Sequence, residues 1–378
     1  MDFELSDEQH FLRDAARGAL SRHNTVAAAR AALDGEERLD LWDTAREAGW
    51  PGLLIDEDRG GAGLGGLDAM LVMIECGRVL ASVPLLGHVP ATGLLAAARG
   101  HDELLAALAE GERRAVLVPA QPPGDLDPGW TVDAPRGHAR RPAPRAVFAD
   151  GATTVTGTVS WVPDAPDADV LVVIATGEDG SPIALVVEAD QPTVTCEAVV
   201  RYDATRSLGH VYLDQAVGTP VGVEEGQLRS AWHLGQGLVA AESLGAVEAA
   251  LESSVAYAKE RFTFGRAIGS YQAVKHALVE VLRLRENARS LIYYAGWARQ
   301  DAPDEFPLAA SAARVAAGKA LDYAARELIS VHGGIGATWE HDAPLYFRRA
   351  QLSRRLLGGR GGATDRVAGL LLAGARAA

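Results

Sequence analysis

Three groups of residues in this 378-residue chain have the types and spacing of working chemistry. Gly61, Gly63 and Gly66, within GGAGLGG, satisfy GxGxxG, the spacing that lets backbone amides approach a dinucleotide pyrophosphate. Such a fingerprint follows directly on a buried strand. Here the acidic segment DEDR at 56–59 intervenes, which favours a flexible connection between helices. His332, Glu340, His341 and Asp342 carry ligand types for a metal, but their spacing matches no common helix or finger pattern. Structural residues beside a glycine turn are the plainer reading. Lastly, Arg348, Arg349, Arg354, Arg355, Arg360 and Arg366 fall within nineteen residues that hold one acid, Asp365. In a chain of net charge −14 that local reversal of sign implies either a solvated helix face or an anionic partner.

The elements that must position these residues fall into three regimes. Residues 1–113 read as helices: Phe3, Leu5, Phe11 and Leu12 begin one apolar face, and Leu41, Trp42, Ala45 and Ala48 form another. Residues 67–80 and 94–110 continue the pattern. Over 114–222 short β-branched runs take over: AVLV at 115–118, TTVTGTVSW at 153–161, DVLVVIA at 169–175, PIALVVE at 182–188 and TVTCEAVV at 193–200. Pro, Gly and Asp separate them at hairpin-like spacing, which predicts a small antiparallel sheet or barrel. Residues 119–145 hold seven prolines and read as loop or poorly ordered chain. From 223 to 378 the chain is helical again. Leu238, Ala241, Leu244, Val247, Leu251, Val255 and Ala258 form one stripe of a long helix. Residues 274–297 and 308–331 give two more, the last stopped by Gly333 and Gly334. The expected fold is therefore α+β and mainly α: a helical N-terminal domain (1–113), a central antiparallel β domain (114–222) and a C-terminal four-helix bundle (223–378).

Composition narrows the function. Acidic residues number 50 and basic residues 36, so nucleic acid and anionic membrane would both repel the chain. No apolar run approaches the roughly 20 residues that span a bilayer. Cys76 and Cys196, far apart and without CxxC spacing, fit a reducing compartment. The opening MDFELSDEQHFLRD has acids where a signal peptide needs a basic start, so a cytoplasmic location is expected.

ERFTFGRAIGSYQAVKH at 260–276 joins two of the long helices. Here the chain resembles the acyl-CoA dehydrogenase family, whose Arg–x–x–Phe–Gly followed by Ile and Gln matches Arg261, Phe264, Gly265, Ile268 and Gln272. HGGIGATWEHD at 332–342 resembles a second family segment, and Gly157 with Trp161 resembles its Gly–x–x–x–Trp. MDFELSDEQHFLRD and LIDEDRGGAGLGGLDAMLVMIECGR are similar to its N-terminal domain. The resemblance implies FAD as cofactor and an acyl-CoA as substrate. It further implies that the Arg261 turn reaches a neighbouring subunit's flavin, with Arg261 as a forked donor to pyrophosphate and Phe264 as an apolar platform. Gln272 belongs to the same motif. Gly333 and Gly334 would let backbone approach the cofactor closely, and Trp161 would cover the isoalloxazine.

What the resemblance leads one to expect is not all present. The reaction removes an α-proton with a carboxylate and passes a β-hydride to the flavin. In most members the carboxylate is a glutamate whose place here falls at Leu357 and Gly358; in a minority its place falls at about Gly235. Neither is an acid, so no catalytic residue is assigned. Glu242 is the nearest alternative, but Gly245, Ala246 and Ala249 around it suit helix packing. The family's segments that cradle a subunit's own FAD are replaced by PAQPPGDLDP at 119–128. The expectation is a non-catalytic partner of an unlike acyl-CoA dehydrogenase subunit, acting together on a CoA thioester, with a steroid side chain as the acyl group that the resemblance implies. The alternatives are a flavin monooxygenase or oxidase of the same fold, an active dehydrogenase with a displaced base (a homo-oligomer among the assemblies open to it), and a scaffold without flavin. The arginines at 348–366 would meet the unlike subunit or the phosphates of FAD or CoA, unless they are a solvated face.

Overall fold

Ser6 opens the first helix for a local reason. Its hydroxyl accepts the Gln9 amide N–H at 3.2 Å while the Gln9 side chain accepts the Ser6 N–H at 3.1 Å, pairing two donors that a helix start leaves free. The computed structural model describes residues 4–118, 143–149, 151–199 and 202–377. From the Ser6 cap the chain runs through α1 (Asp7–Ser21), α2 (Thr25–Leu33), α3 (Trp42–Glu47), α4 (Gly66–Arg78), α5 (Leu85–Ala96) and α6 (Asp102–Ala109). The buried stripe of α1 is Ala16, Ala19 and Leu20. Phe11, expected on the apolar face, lies off that stripe and is 76% exposed.

The central strands are β1 (Ala115–Val118), β2 (Arg145–Ala149), β3 (Ala152–Pro163), β4 (Val170–Thr176), β5 (Pro182–Glu188), β6 (Val194–Ala198) and β7 (Leu208–Val221). Antiparallel pairings link β2 to β3, β3 to β7, β7 to β5 and β5 to β4. Contact of β2 with β4 at Arg145 and Thr176 closes the ring into a barrel. Two pairings depart from the antiparallel expectation: this one, and β1 with β4, which runs parallel from Ala115↔Val170 to Val118↔Val173. The Arg114 carbonyl accepts both the Asp169 and Val170 N–H groups, and Asp169 accepts the Arg114 N–H, so both strands start side by side. Hairpin spacing cannot reveal a pairing across so long a connection. The seven-proline stretch lies mostly outside the described residues.

The C-terminal helical domain holds α7 (Glu225–Glu260), the short strands β8 (Phe262–Thr263) and β9 (Arg266–Ala267), α8 (Gln272–Asp301), α9 (Phe306–His332), α10 (Ala343–Ser353) and α11 (Gly359–Ala377). Helices α4 and α7 cross at bare glycines. A Cβ on Gly77 would lie 1.9 Å from the Glu242 carbonyl oxygen, and one on Gly245 would lie 1.8 Å from that of Ile74. Only residues without a side chain allow that approach. Both cysteines are free thiols, Cys76 buried and Cys196 half-buried. Among the described residues no helix is long and apolar enough to cross a membrane.

Candidate functional site

The turn between α7 and α8 is a two-stranded hairpin, β8 against β9, built to project rather than to pack. Phe264 at φ 50° and Gly265 at φ 78° turn the chain, and Phe264 is 94% exposed. The base of the hairpin is held from within. Tyr271 donates its hydroxyl to the Thr263 carbonyl at 3.1 Å, and the Arg266 guanidinium lies 3.9 Å from the centre of the Tyr271 ring. Arg261 caps α7, its N–H donating to the Tyr257 carbonyl, and its side chain is exposed. Gln272 begins α8, also exposed.

A second candidate segment meets the last turns of α7, just before this hairpin, through a ring contact. The Tyr257 ring, one turn before Arg261, stacks on His332 at 4.3 Å, and His332 immediately precedes Gly333. His332 Nδ1 donates to the Leu328 carbonyl at 2.7 Å, which orients the ring. Gly333 ends α9 at φ 64°, a left-handed conformation that glycine adopts without strain. A Cβ at Gly333 or at Gly334 would meet nothing within 4 Å. That ring contact links the segment leading to Arg261 and Phe264 with the one leading to the glycine pair, and all four residues are exposed.

Trp161 stands apart on the barrel, half-buried, at φ 63° in an irregular stretch of β3. Its described ring neighbour is His210, edge-on at 4.6 Å. Gly157 is required where it is, because a Cβ would lie 2.6 Å from Pro144 Cα.

The two places where the family resemblance puts a carboxylate face each other. A Cβ on Gly235 would lie 3.1 Å from Leu357 Cδ1 and 3.9 Å from Pro90 Cγ. Leu357 sits at φ 49° in the kink between α10 and α11, buried. Gln236 donates to its carbonyl at 2.6 Å, and Arg314, fully buried, donates to the Ser353 and Leu356 carbonyls that lead into the kink. Burial pulls the Arg314 guanidinium down to about 9. Neither of the two places carries an acid to take a proton.

Glu242 is instead committed to a buried ionic cluster. Its carboxylate accepts from both Arg206 and Arg349, and Arg349 also donates to Asp203 at 2.9 Å. Asp203 further accepts the Thr205 N–H and hydroxyl. Burial opposes the Asp203 charge, but Arg349 and Arg206 outweigh it and hold the carboxyl below its usual range. Sequence reasoning missed this cluster. Arg349 stood unremarked within the arginine run, and nothing local pairs it with residues in the β6–β7 connection or with Glu242 on α7.

The other candidates disperse. The amides of the GxGxxG loop are consumed by its own chain: Gly61 N–H bonds Asp56, Ala62 bonds Gly52, Gly63 bonds Ile55 and Leu64 bonds Leu53, all by carbonyls. A Cβ on Gly61 would lie 2.0 Å from the Ile55 oxygen, so its glycine serves packing. His332 and His341 do meet, rings 4.3 Å apart, but Asp342 pairs with Arg30 and Glu340 is exposed. Among the described residues no three acid, His or Cys side chains converge on a metal-sized site. The six arginines are not one face. Arg349 is in the buried cluster, Arg366 lies over Trp232 at 4.3 Å, and Arg354 approaches Asp322 at 3.8 Å. PAQPPGDLDP at 119–128 lies outside the described residues.

Residues 6–111 match the family description "Acyl-CoA dehydrogenase, N-terminal domain", and residues 227–368 match "Acyl-CoA dehydrogenase, C-terminal domain". Acyl-CoA dehydrogenase IpdE2 of Mycobacterium tuberculosis is 33% identical over 355 residues, covering 93% of this chain and 93% of its own length. The ChsE4-ChsE5 complex from Mycobacterium tuberculosis has a chain similar at a TM-score of 0.84 and 26% identity, over 98% of this chain and 99% of that one. The Tcur3481-Tcur3483 steroid ACAD has one similar at 0.86 and 28%, over 98% and 99%. With the hairpin, the glycine turn and the three-part architecture, these similarities place the chain in the acyl-CoA dehydrogenase family.

Proposed function

We propose that this chain is the non-catalytic subunit of a heteromeric, FAD-dependent acyl-CoA dehydrogenase acting on a CoA thioester, of the steroid-derived kind. The observation that carries the reading is the Gly235–Leu357 contact: both places for a catalytic carboxylate are apolar and packed on one another. Glu242 does not substitute, because two arginines hold it. The steroid-type substrate is motivated by the Tcur3481-Tcur3483 steroid ACAD, and the unlike partner by the two-subunit complexes this chain is similar to.

The exposed residues fit a flavin held between subunits. The space beside Gly333 and Gly334 admits a ligand against bare backbone, and Phe264 projects with nothing of its own chain over it. FAD, when bound, supplies the hydride acceptor. Arg261 would hold the pyrophosphate with its forked donors, Gln272 would add an amide beside it, and Phe264 would seal the edge against water. Gly333 and Gly334 would allow main-chain contact, and Trp161 would shield the ring system from solvent on the barrel side.

The test is to purify the chain alone and co-expressed with its unlike subunit, then record flavin absorbance and acyl-CoA turnover with an artificial acceptor. Flavin and turnover only in the complex are expected. A yellow chain active alone on acyl-CoA would overturn the reading, a yellow chain consuming oxygen without acyl-CoA desaturation would favour the monooxygenase or oxidase, and a colourless complex would favour the scaffold.

A further inference from the structure

Behind the Gly333 turn, between α9, α10 and the connection that precedes β7, lies an open cavity of about 500 Å³. That size falls in the range of about 300–1,000 Å³ common to small-molecule sites. Tyr202, Ile329, Pro344 and Phe347 make its apolar wall, and Arg348 and Arg355 its charged part. The wall is anchored rather than loose. Tyr202 donates its hydroxyl to the Gln351 carbonyl at 3.0 Å, and Arg348 Nη1 donates to the Tyr202 carbonyl at 2.9 Å. The Arg348 guanidinium also lies over the Trp339 ring, 5.6 Å from its centre.

The charges are unbalanced. Among the described residues no carboxylate lines the cavity. Asp322, which Gln351 reaches at 3.4 Å, is already faced by Arg326 and Arg354. Arg355 makes no side-chain hydrogen bond or ion pair among the described residues, and it is exposed. Two arginines therefore face an apolar hollow in a chain of net charge −14. A guanidinium fork matches the two oxygens of a carboxylate. The aromatic and aliphatic wall matches a hydrocarbon body, whose burial there would remove apolar surface from water.

We propose that this cavity binds a small amphipathic carboxylate, its hydrocarbon body against Phe347, Ile329 and Pro344 and its oxygens on Arg355 and Arg348. The cavity shares no lining residue with the proposed flavin contacts, and its occupancy does not require the chain to be a non-catalytic subunit.

Isothermal titration of the full chain with decanoate and with decan-1-ol tests this. Saturable one-to-one binding of decanoate is expected, with decanol at least about tenfold weaker because it lacks the charge-assisted bonds. Arg355→Gln should weaken decanoate about tenfold and leave decanol unchanged. Ala337→Trp, in the exposed turn at the cavity wall, should fill the space and abolish binding of both. Thermal melts of each variant separate these effects from misfolding. No saturable decanoate binding, equal affinity for acid and alcohol, or decanoate affinity unmoved by Arg355→Gln would overturn the proposal. Silence toward decanoate with weakened subunit assembly in Arg355→Gln would give the cavity to a protein partner instead, and equally overturn it.

Discussion

Gly235 on α7 and Leu357 at the kink before α11 are packed so closely that a Cβ on the glycine would lie 3.1 Å from Leu357 Cδ1. Each occupies a place where the family resemblance puts a carboxylate, and their contact leaves the junction without one. A positioned general base contributes about 10²–10⁴-fold to a proton abstraction. Acyl-CoA turnover by the purified single chain should therefore stay at background in an artificial-acceptor assay. Measurable turnover would show that another group takes the α-proton.

Glu242→Gln should act on stability and not on chemistry. The carboxylate balances Arg206 and Arg349 in a buried cluster, so its removal leaves two guanidinium groups with Asp203 alone. Breaking a buried pair in this way costs about 3–5 kcal/mol. Urea unfolding of the chain should show that loss. A variant of unchanged stability that lowers turnover of the assembled complex would mark Glu242 as a displaced base.

Phe264→Ala separates flavin contact from folding. The side chain is 94% exposed, and a substitution there should change stability by no more than about 0.5 kcal/mol. Arg261→Ala should be equally mild for the fold, since its side chain is also exposed. Both should lower the flavin content of the purified complex. Complexes that retain full FAD with either change would remove the hairpin from the cofactor site.

Much of this architecture can be read from local pattern. The alanine-rich stretch before Gly333 marks the end of α9 because a glycine stop is a local signal, and α9 does end at His332. The join between α7 and α8 within 260–276 is also where the sequence places it, α7 ending at Glu260 and α8 beginning at Gln272. Gly245 and its small neighbours mark a close helix crossing, though not that α4 supplies the other side. Long-range pairings stay hidden. Glu242 and Arg349 are 107 residues apart in sequence, and neither has a neighbour that predicts the other. The parallel register of β1 on β4 depends likewise on a distant partner. Phe11 shows a different failure: a residue one step off an apolar stripe looks like part of it until the stripe's direction is known. The cavity with Arg355 is a concavity between three segments, which periodicity cannot describe.

Asp164 sets a pH dependence that can be isolated. It sits at φ 63° between β3 and the loop to β4, and its carboxyl accepts the Gly87 N–H at 2.9 Å within α5. Burial raises its pKa from the ordinary 3.8 to about 7, against the opposing pull of that hydrogen bond and of Arg38 and Arg206. The folded chain therefore keeps this proton where the unfolded chain has released it. Between about pH 4 and pH 7 the native state binds more protons, so the Asp164 contribution to stability falls as pH rises through that window and levels off above it. The full difference corresponds to at most about 4 kcal/mol. Asparagine tolerates the left-handed conformation and keeps an oxygen for Gly87, so Asp164→Asn should fold and lose this slope. Urea unfolding of both proteins at intervals from pH 4.5 to about 8 reads the difference directly, because slopes from all other groups cancel between them. The variant should gain on wild type as pH rises. A constant difference across the window would mean that Asp164 is ionised throughout in the native chain.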